Sequence, residues 1–186
     1  MYYILSAKDL RDTESIARIG TGPDIEDVDW YEGVRFTTPI PQPLRFTLDP
    51  SVEGSVPFFL DWTIPLMHGE LIAGLKEAGV DNLDLYDAIV LDEETGEEFT
   101  DFKAVNVIGA IAAADLGASK YSTEEGTTLV SMQFDSLVID EKKTGSVLLF
   151  RLAECVSAIV VHEKIRKVLK ARDVLVGFIE PKDFAS

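Results

Sequence analysis

The sequence predicts an α+β protein: a mostly antiparallel or mixed sheet with two to three packed helices, behind a loop-rich N-terminal third. Three observations lead there. Six of the eight prolines (Pro23, Pro39, Pro41, Pro43, Pro50 and Pro57) fall between Gly20 and Pro57, which keeps that region extended and rich in turns. Beyond it, short apolar runs alternate with polar residues and end at polar turns, the pattern of half-buried strands. Two stretches switch to three- and four-residue apolar spacing, the period of a helix.

Taken in order, residues 2–5 read as a first strand and residues 8–19 as a weak helix with Leu10, Ile16 and Ile19 facing inward. Val34-Arg35-Phe36 and Leu44 to Leu48 are the short strands expected in the proline-rich region. Leu66 to Ala78 reads as an amphipathic helix, with Leu66, Met67, Leu71, Ile72 and Leu75 on one face and Gly79 at the capping position beyond its end. Leu83 to Leu91 and Phe99 to Val107 are strands of a hairpin whose tip is Thr95-Gly96. Phe134 to Ile139 and Val147 to Leu152 are further strands. The chain closes on strand Ala158 to Val161, helix Glu163 to Arg172 and strand Val174 to Ile179. A length of 186 residues fits one domain, divided into a loop-rich region (1–57) and a main core (58–186).

Two segments align at a constant offset. Leu66-Met67-His68-Gly69-Glu70-Leu71 through Leu75-Lys76 and Val80 matches Val160-Val161-His162-Glu163-Lys164-Ile165 through Leu169-Lys170 and Val174. Each reads as an extended lead-in, a polar residue at the helix start and a short helix. Duplication and convergence on one helix grammar both account for this, with convergence favoured. Both histidines fall at these helix starts, where a ring nitrogen can accept from orphan backbone N–H groups. That assigns them to capping and not to catalysis.

Charge limits the possible partners. The formal net charge is −16, and between Glu77 and Asp101 lie ten carboxylates with no lysine or arginine. Such a chain is unsuited to phosphate backbones or anionic membranes, and a concentrated negative face attracts cations or basic proteins. A second acidic cluster, Asp24, Glu26, Asp27, Asp29 and Glu32, surrounds Trp30 and Tyr31. One cysteine, Cys155, excludes an internal disulfide and reads as a small core residue. With no basic-plus-apolar leader at Met1 to Asp9, the expected compartment is cytoplasmic.

Motifs for chemistry are missing. No Gly-x-Ser-x-Gly elbow accompanies the histidines. The segment around Gly96 fails as a calcium loop, because Gly96 at position 6 puts Leu91 at position 1 and Phe102 at position 12. Gly20-Thr21-Gly22-Pro23 lacks the lysine of a phosphate loop. No metal, cofactor or catalytic residue is therefore assigned. The helix with Lys164, Arg166, Lys167, Lys170 and Arg172 reads as a solvated basic face that makes the molecule dipolar.

From Pro65 onward the chain resembles the immunity proteins of bacterial polymorphic-toxin systems, a family typified by a Myxococcus protein. The resemblance is carried by Pro65-Leu66-Met67, Val80-Asp81-Asn82-Leu83-Asp84-Leu85-Tyr86, Thr95-Gly96-Glu97-Glu98, Lys103-Ala104-Val105-Asn106-Val107, Asp115, and Phe134 to Asp140. It continues through Leu149 to Glu154 and Ala158 to Glu163. It implies a non-enzymatic protein that binds and neutralises a cognate toxin, and assigns no contacting residues. The charge reading then suggests a basic, nuclease-like toxin domain as partner. Asp92, Glu93, Glu94, Glu97, Glu98 and Asp101 form the expected contact surface. The competing surface is Asp24, Glu26 and Asp27 with Trp30 and Tyr31 as aromatic anchors. The alternatives are an acidic interaction or regulatory module, and a hydrolase using a carboxylate pair, which requires a pocket holding two carboxylates with separated pKa values.

Overall fold

The computed structural model describes residues 1–8, 13–122 and 132–185. Its strands are β1 (Tyr2–Ser6), β2 (Ile19–Thr21), β3 (Leu44–Leu48), β4 (Phe59–Leu60), β5 (Leu66–His68), β6 (Leu83–Leu91) and β7 (Glu98–Val107). They continue with β8 (Ala110–Ile111), β9 (Lys120–Ser122), β10 (Gln133–Ser136), β11 (Leu149–Leu152), β12 (Cys155–His162) and β13 (Gly177–Ile179). The helices are α1 (Gly69–Ala78) and α2 (Glu163–Ala171). The fold is α+β, as expected. A six-stranded sheet runs β2-β3-β6-β7-β5-β4, a five-stranded sheet runs β13-β1-β12-β11-β8, and β9 pairs with β10. Only β3 with β6 and β8 with β11 are parallel among the paired strands described.

Alternation along the strands sorts side chains between cores. Met67, Val105, Val107, Tyr3, Leu5, Ile159 and Val161 join Leu71 and Leu75 of α1 and Ile165 and Leu169 of α2 in a shared core. The opposite face of the six-stranded sheet gives Leu66, Ala88, Val90, Phe102 and Ala104 to a second core, closed by Trp30 and Phe46. The opposite face of the five-stranded sheet gives Tyr2, Ile4, Phe150 and Val160 to a third. Each fully buried leucine or isoleucine stabilises by roughly 1.5–3 kcal/mol, so the two helices are held mainly by this packing. Helices this short are marginal on propensity alone.

Both histidines cap, as the sequence suggested. The Glu70 amide donates to Nδ1 of His68 and the Lys164 amide to Nδ1 of His162, each at 3.2 Å. Gly79 ends α1 in the left-handed region (φ 97°), its N–H turned back on the last carbonyls. Three expectations need correction. Leu66–His68 is a strand, so α1 starts at Gly69; three residues are too few for strand alternation to show against helical spacing. Of the weak helix at 8–19, residues 9–12 (Leu10 among them) lie outside the described residues. Ile16 bridges to Ser55 and Ile19 opens β2, so this part is extended. Val34 to Phe36 is loop.

The matched segments belong to one repeated motif. Four neighbours in the first sheet, β6-β7-β5-β4, correspond to β13-β1-β12-β11 in the second. In each, a strand, an antiparallel strand, a capping histidine, a helix and another strand follow in chain order. The registers agree: Phe59 faces Met67 and Leu149 faces Val161, each partner directly preceding its histidine. His68 faces Phe102 and His162 faces Tyr2, with the aromatic ring edge-on at 5.4 and 5.0 Å. The position held by β7 in the first unit is filled in the second by β1, from the other end of the chain. This correspondence of sheet order and register favours duplication over convergence on a helix start. It also makes Asp61, after Leu60, the counterpart of Arg151, after Phe150.

Candidate functional site

The acid-rich segment folds as the expected hairpin. β6 and β7 pair from Leu83 opposite Val107 to Leu91 opposite Glu98, with a register shift between Ala88 and Val90. Asp92 builds the tip: its Oδ1 accepts from the Glu94 and Thr95 amides at 2.9 and 3.3 Å, and its carbonyl accepts from the Gly96 amide at 2.8 Å. Hydrogen bonding, with Thr95 foremost, holds its carboxyl below the usual range. Asp92 is therefore a turn-forming residue as well as a charge.

The ten carboxylates divide into compensated and uncompensated groups. Arg172 pairs with Glu77 (2.9 Å), Arg45 with Glu98 (3.1 Å), Lys103 with Asp87 (2.6 Å) and Arg35 with Asp84. Asp81, Glu93, Glu94, Glu97 and Asp101 are exposed and, like the turn-forming Asp92, have no ion pair among the described residues. Glu98 is thus partly neutralised by β3. Asp101 lies further down β7, its carbonyl near the start of α1 and away from the tip. The focus of free negative charge is the turn itself.

Tertiary structure adds acids that spacing could not reveal. Because β3 runs parallel to β6, with Thr47 beside Leu91, the loop after β3 arrives next to the tip. Asp49 and Glu53 there share a cleft of about 200 Å³ with Asp92, Glu93 and Glu94. Asp49 is held below the usual carboxylate range by its hydrogen bonds to the Ser51 hydroxyl and amide, so it stays ionised. Five carboxylates around one narrow cleft favour a lysine or arginine side chain.

The second cluster sits elsewhere. Asp24, Glu26, Asp27 and Asp29 are exposed. Trp30, however, is only 4% exposed and packs edge-on against Phe36 and Tyr86 at 4.9 and 5.7 Å. Its large apolar ring is used inside the molecule, which corrects its assignment as a surface anchor. Tyr31 is half-buried, and its ring lies 5.0 Å from the Arg151 guanidinium carbon. Since Trp30 packs on Tyr86, the loop meets β6 roughly 20 Å from the turn, at about 3.3 Å per residue.

The carboxylate-pair alternative finds little support in the cavities. Among the described residues, a cavity of about 430 Å³ is lined by one carboxylate, Asp61, together with Lys8 and Arg18. Burial pushes Asp61 up to about 6 against the opposing pull of Arg151, although the residue as a whole remains exposed. A groove of about 260 Å³ holds Glu141 and Glu180, but these pair with the N-terminal ammonium and Lys182. In the acidic cleft, Asp49 and Asp92 shift in the same direction, not apart. Among the described residues no group of three or more histidine, cysteine or acidic side chains is arranged to hold a metal ion. None of the described helices is long and apolar enough to cross a membrane. Compared with protein-family models and with curated proteins, the chain matches none.

Proposed function

We propose that this chain is an immunity protein that binds and neutralises a cognate bacterial toxin through the acidic hairpin, the toxin presenting a basic, nuclease-like face. The observation that carries the reading is the uncompensated tip, where Glu93, Glu94 and Glu97 project beside the cleft completed by Asp49 and Glu53. A rigid hairpin suits this task, since both strands are anchored in the sheet and the turn is held by Asp92. Electrostatic focusing of this kind raises association rates by roughly 10- to 1,000-fold at low salt. An inhibitor that must outrun damage benefits from that speed.

The test is co-expression with a basic, nuclease-type toxin domain, sought first among the neighbouring genes. Glu93→Lys, Glu94→Lys and Glu97→Lys together leave the Asp92 turn and the Glu98–Arg45 pair intact, so the fold should survive. The triple variant is expected to lose protection of growth and to associate at least about tenfold more slowly with the purified toxin domain. Full protection and an unchanged association rate would remove the hairpin from the interface.

A further inference from the structure

Among the described residues Arg151 is the largest fully buried side chain, 1% exposed on β11. Its Nη1 donates to the Val156 carbonyl at 2.7 Å, while Nε and Nη2 are buried without a partner. Those two nitrogens form one edge of the guanidinium, the fork that suits a planar anion. A methionine would fill the space without orphaned donors. What only a cation adds here is attraction for the groups facing it: the Tyr31 ring, Asp61 at the end of β4, and Asp29.

Two of those three groups belong to the acidic loop. Asp29 Oδ1 accepts from the Tyr31 amide at 2.7 Å, which fixes the two relative to each other. Trp30 between them points to the opposite side, into the core behind the six-stranded sheet. Just beyond, the Gly109 amide donates to the Gly33 carbonyl at 2.7 Å, and Asn106 Nδ2 donates to the Val34 carbonyl at 2.8 Å. Gly33 has φ 72°, and a Cβ there would stand 2.9 Å from the Ala110 nitrogen. The strap from Asp29 to Val34 is thus pinned to both sheets, and Arg151 is its charged fastening.

We infer that Arg151 is a positioning residue for the second acidic cluster: through Tyr31 and Asp29 it holds the loop carrying Asp24, Glu26 and Asp27 in the arrangement offered to a basic partner. The inference rests on the reading of the acidic surfaces as partner-binding. Its first consequence is nevertheless measurable on the free protein.

The experiment compares amide hydrogen exchange of residues 24–34 in the free protein with that of β11 and β12. Arg151→Met is expected to speed exchange of the loop about tenfold while the strands keep their protection. Arg151→Lys should recover most of the difference, because the cation over the ring is restored. Tyr31→Leu should loosen the loop as Arg151→Met does, and it tests the same contact should the methionine variant fail to fold. Asp61→Asn should leave the loop unchanged. The inference is overturned by unchanged loop exchange in both Arg151→Met and Tyr31→Leu, by a lysine variant no better than methionine, or by Asp61→Asn matching Arg151→Met. Toxin affinity separates the two levels. A loosened loop with undiminished affinity, in a protein whose hairpin reversal abolishes binding, overturns the positioning role. If hairpin reversal itself changes nothing, the partner reading fails while the exchange result stands.

Discussion

At the scale of single residues, the two histidines carry a clear energetic prediction. Each imidazole accepts a helix N-terminal amide, a role only the neutral ring can fill, so His68→Ala and His162→Ala should each cost about 1 kcal/mol. Urea denaturation measures this directly. Burial foremost, and then the N-terminal ammonium, hold His162 below the ordinary imidazole range. The unfolded chain therefore takes up the proton more readily than the folded one. The stability owed to neutral His162 is complete above the unfolded value of about 6.5 and is lost as pH falls toward the folded-state value. Asp61 works in the opposite sense: its carboxyl is raised to about 6, so its contribution falls as pH rises from 3.8 through that window. Both forms of the protein share the Asp61 slope. The difference between wild type and His162→Ala therefore isolates the histidine, and it should shrink on acidification below about pH 6.5. A pH-independent difference would mean that the ring acts through packing on Tyr2 alone.

At the scale of elements, the contact between α1 and α2 is set by a missing side chain. A Cβ on Gly74 would stand 2.4 Å from Cδ2 of the fully buried Leu169. Alanine improves helix propensity by about 1 kcal/mol, yet overpacking a well-filled core costs typically about 1–3 kcal/mol. Gly74→Ala should therefore destabilise on balance, and Leu169→Val should recover part of the loss when combined with it. A double-mutant cycle in urea reads the coupling, and simple additivity would show that the helices can shift apart freely. The elements also show what local sequence reveals. The hairpin, Gly79 and the histidine caps were legible because each is decided within a few residues by turn chemistry, left-handed φ or a side chain bonding a nearby amide. The strand Leu66–His68 was not. Its partners, Phe59 and Leu60 on one side and Phe102 to Ala104 on the other, are supplied by other elements, and in sequence it merely extends the helical spacing of α1.

At the scale of the whole molecule, the organising fact is that β1 lies inside the five-stranded sheet. It sits between β12 and β13, with Tyr2 opposite His162 and Ile4 opposite Ile179. Removing residues 1–6 would strip β13 of its partner and open the inner edge of β12. It would also take Tyr3 and Leu5 from one core and Tyr2 and Ile4 from another. The truncated chain is expected to lose cooperative thermal unfolding, followed by circular dichroism. A sharp, near-native transition would show instead that the strand only covers the sheet. The same architecture limits the basic face expected of α2: the helix turns Ile165 and Leu169 inward and Lys164, Lys167 and Lys170 outward. The Arg166 guanidinium, however, packs over the Tyr3 ring, and Arg172 pairs with Glu70 and Glu77, while the acidic turn projects from the other sheet.

The sequence by itself determined the α+β class, the hairpin, the two capped helices and the run of unopposed acids, because those follow from periodicity, turn residues and composition over short spans. Tertiary structure decided which acids are free and which are paired. It brought Asp49 and Glu53 to the tip through the parallel β3–β6 pairing, and it took Trp30 into the core. It also placed Arg151 beneath Tyr31 and completed the second motif with the first strand of the chain. Each of these depends on contacts between segments far apart in sequence. There, burial and long-range strand pairing choose the partner, and no local pattern records the choice.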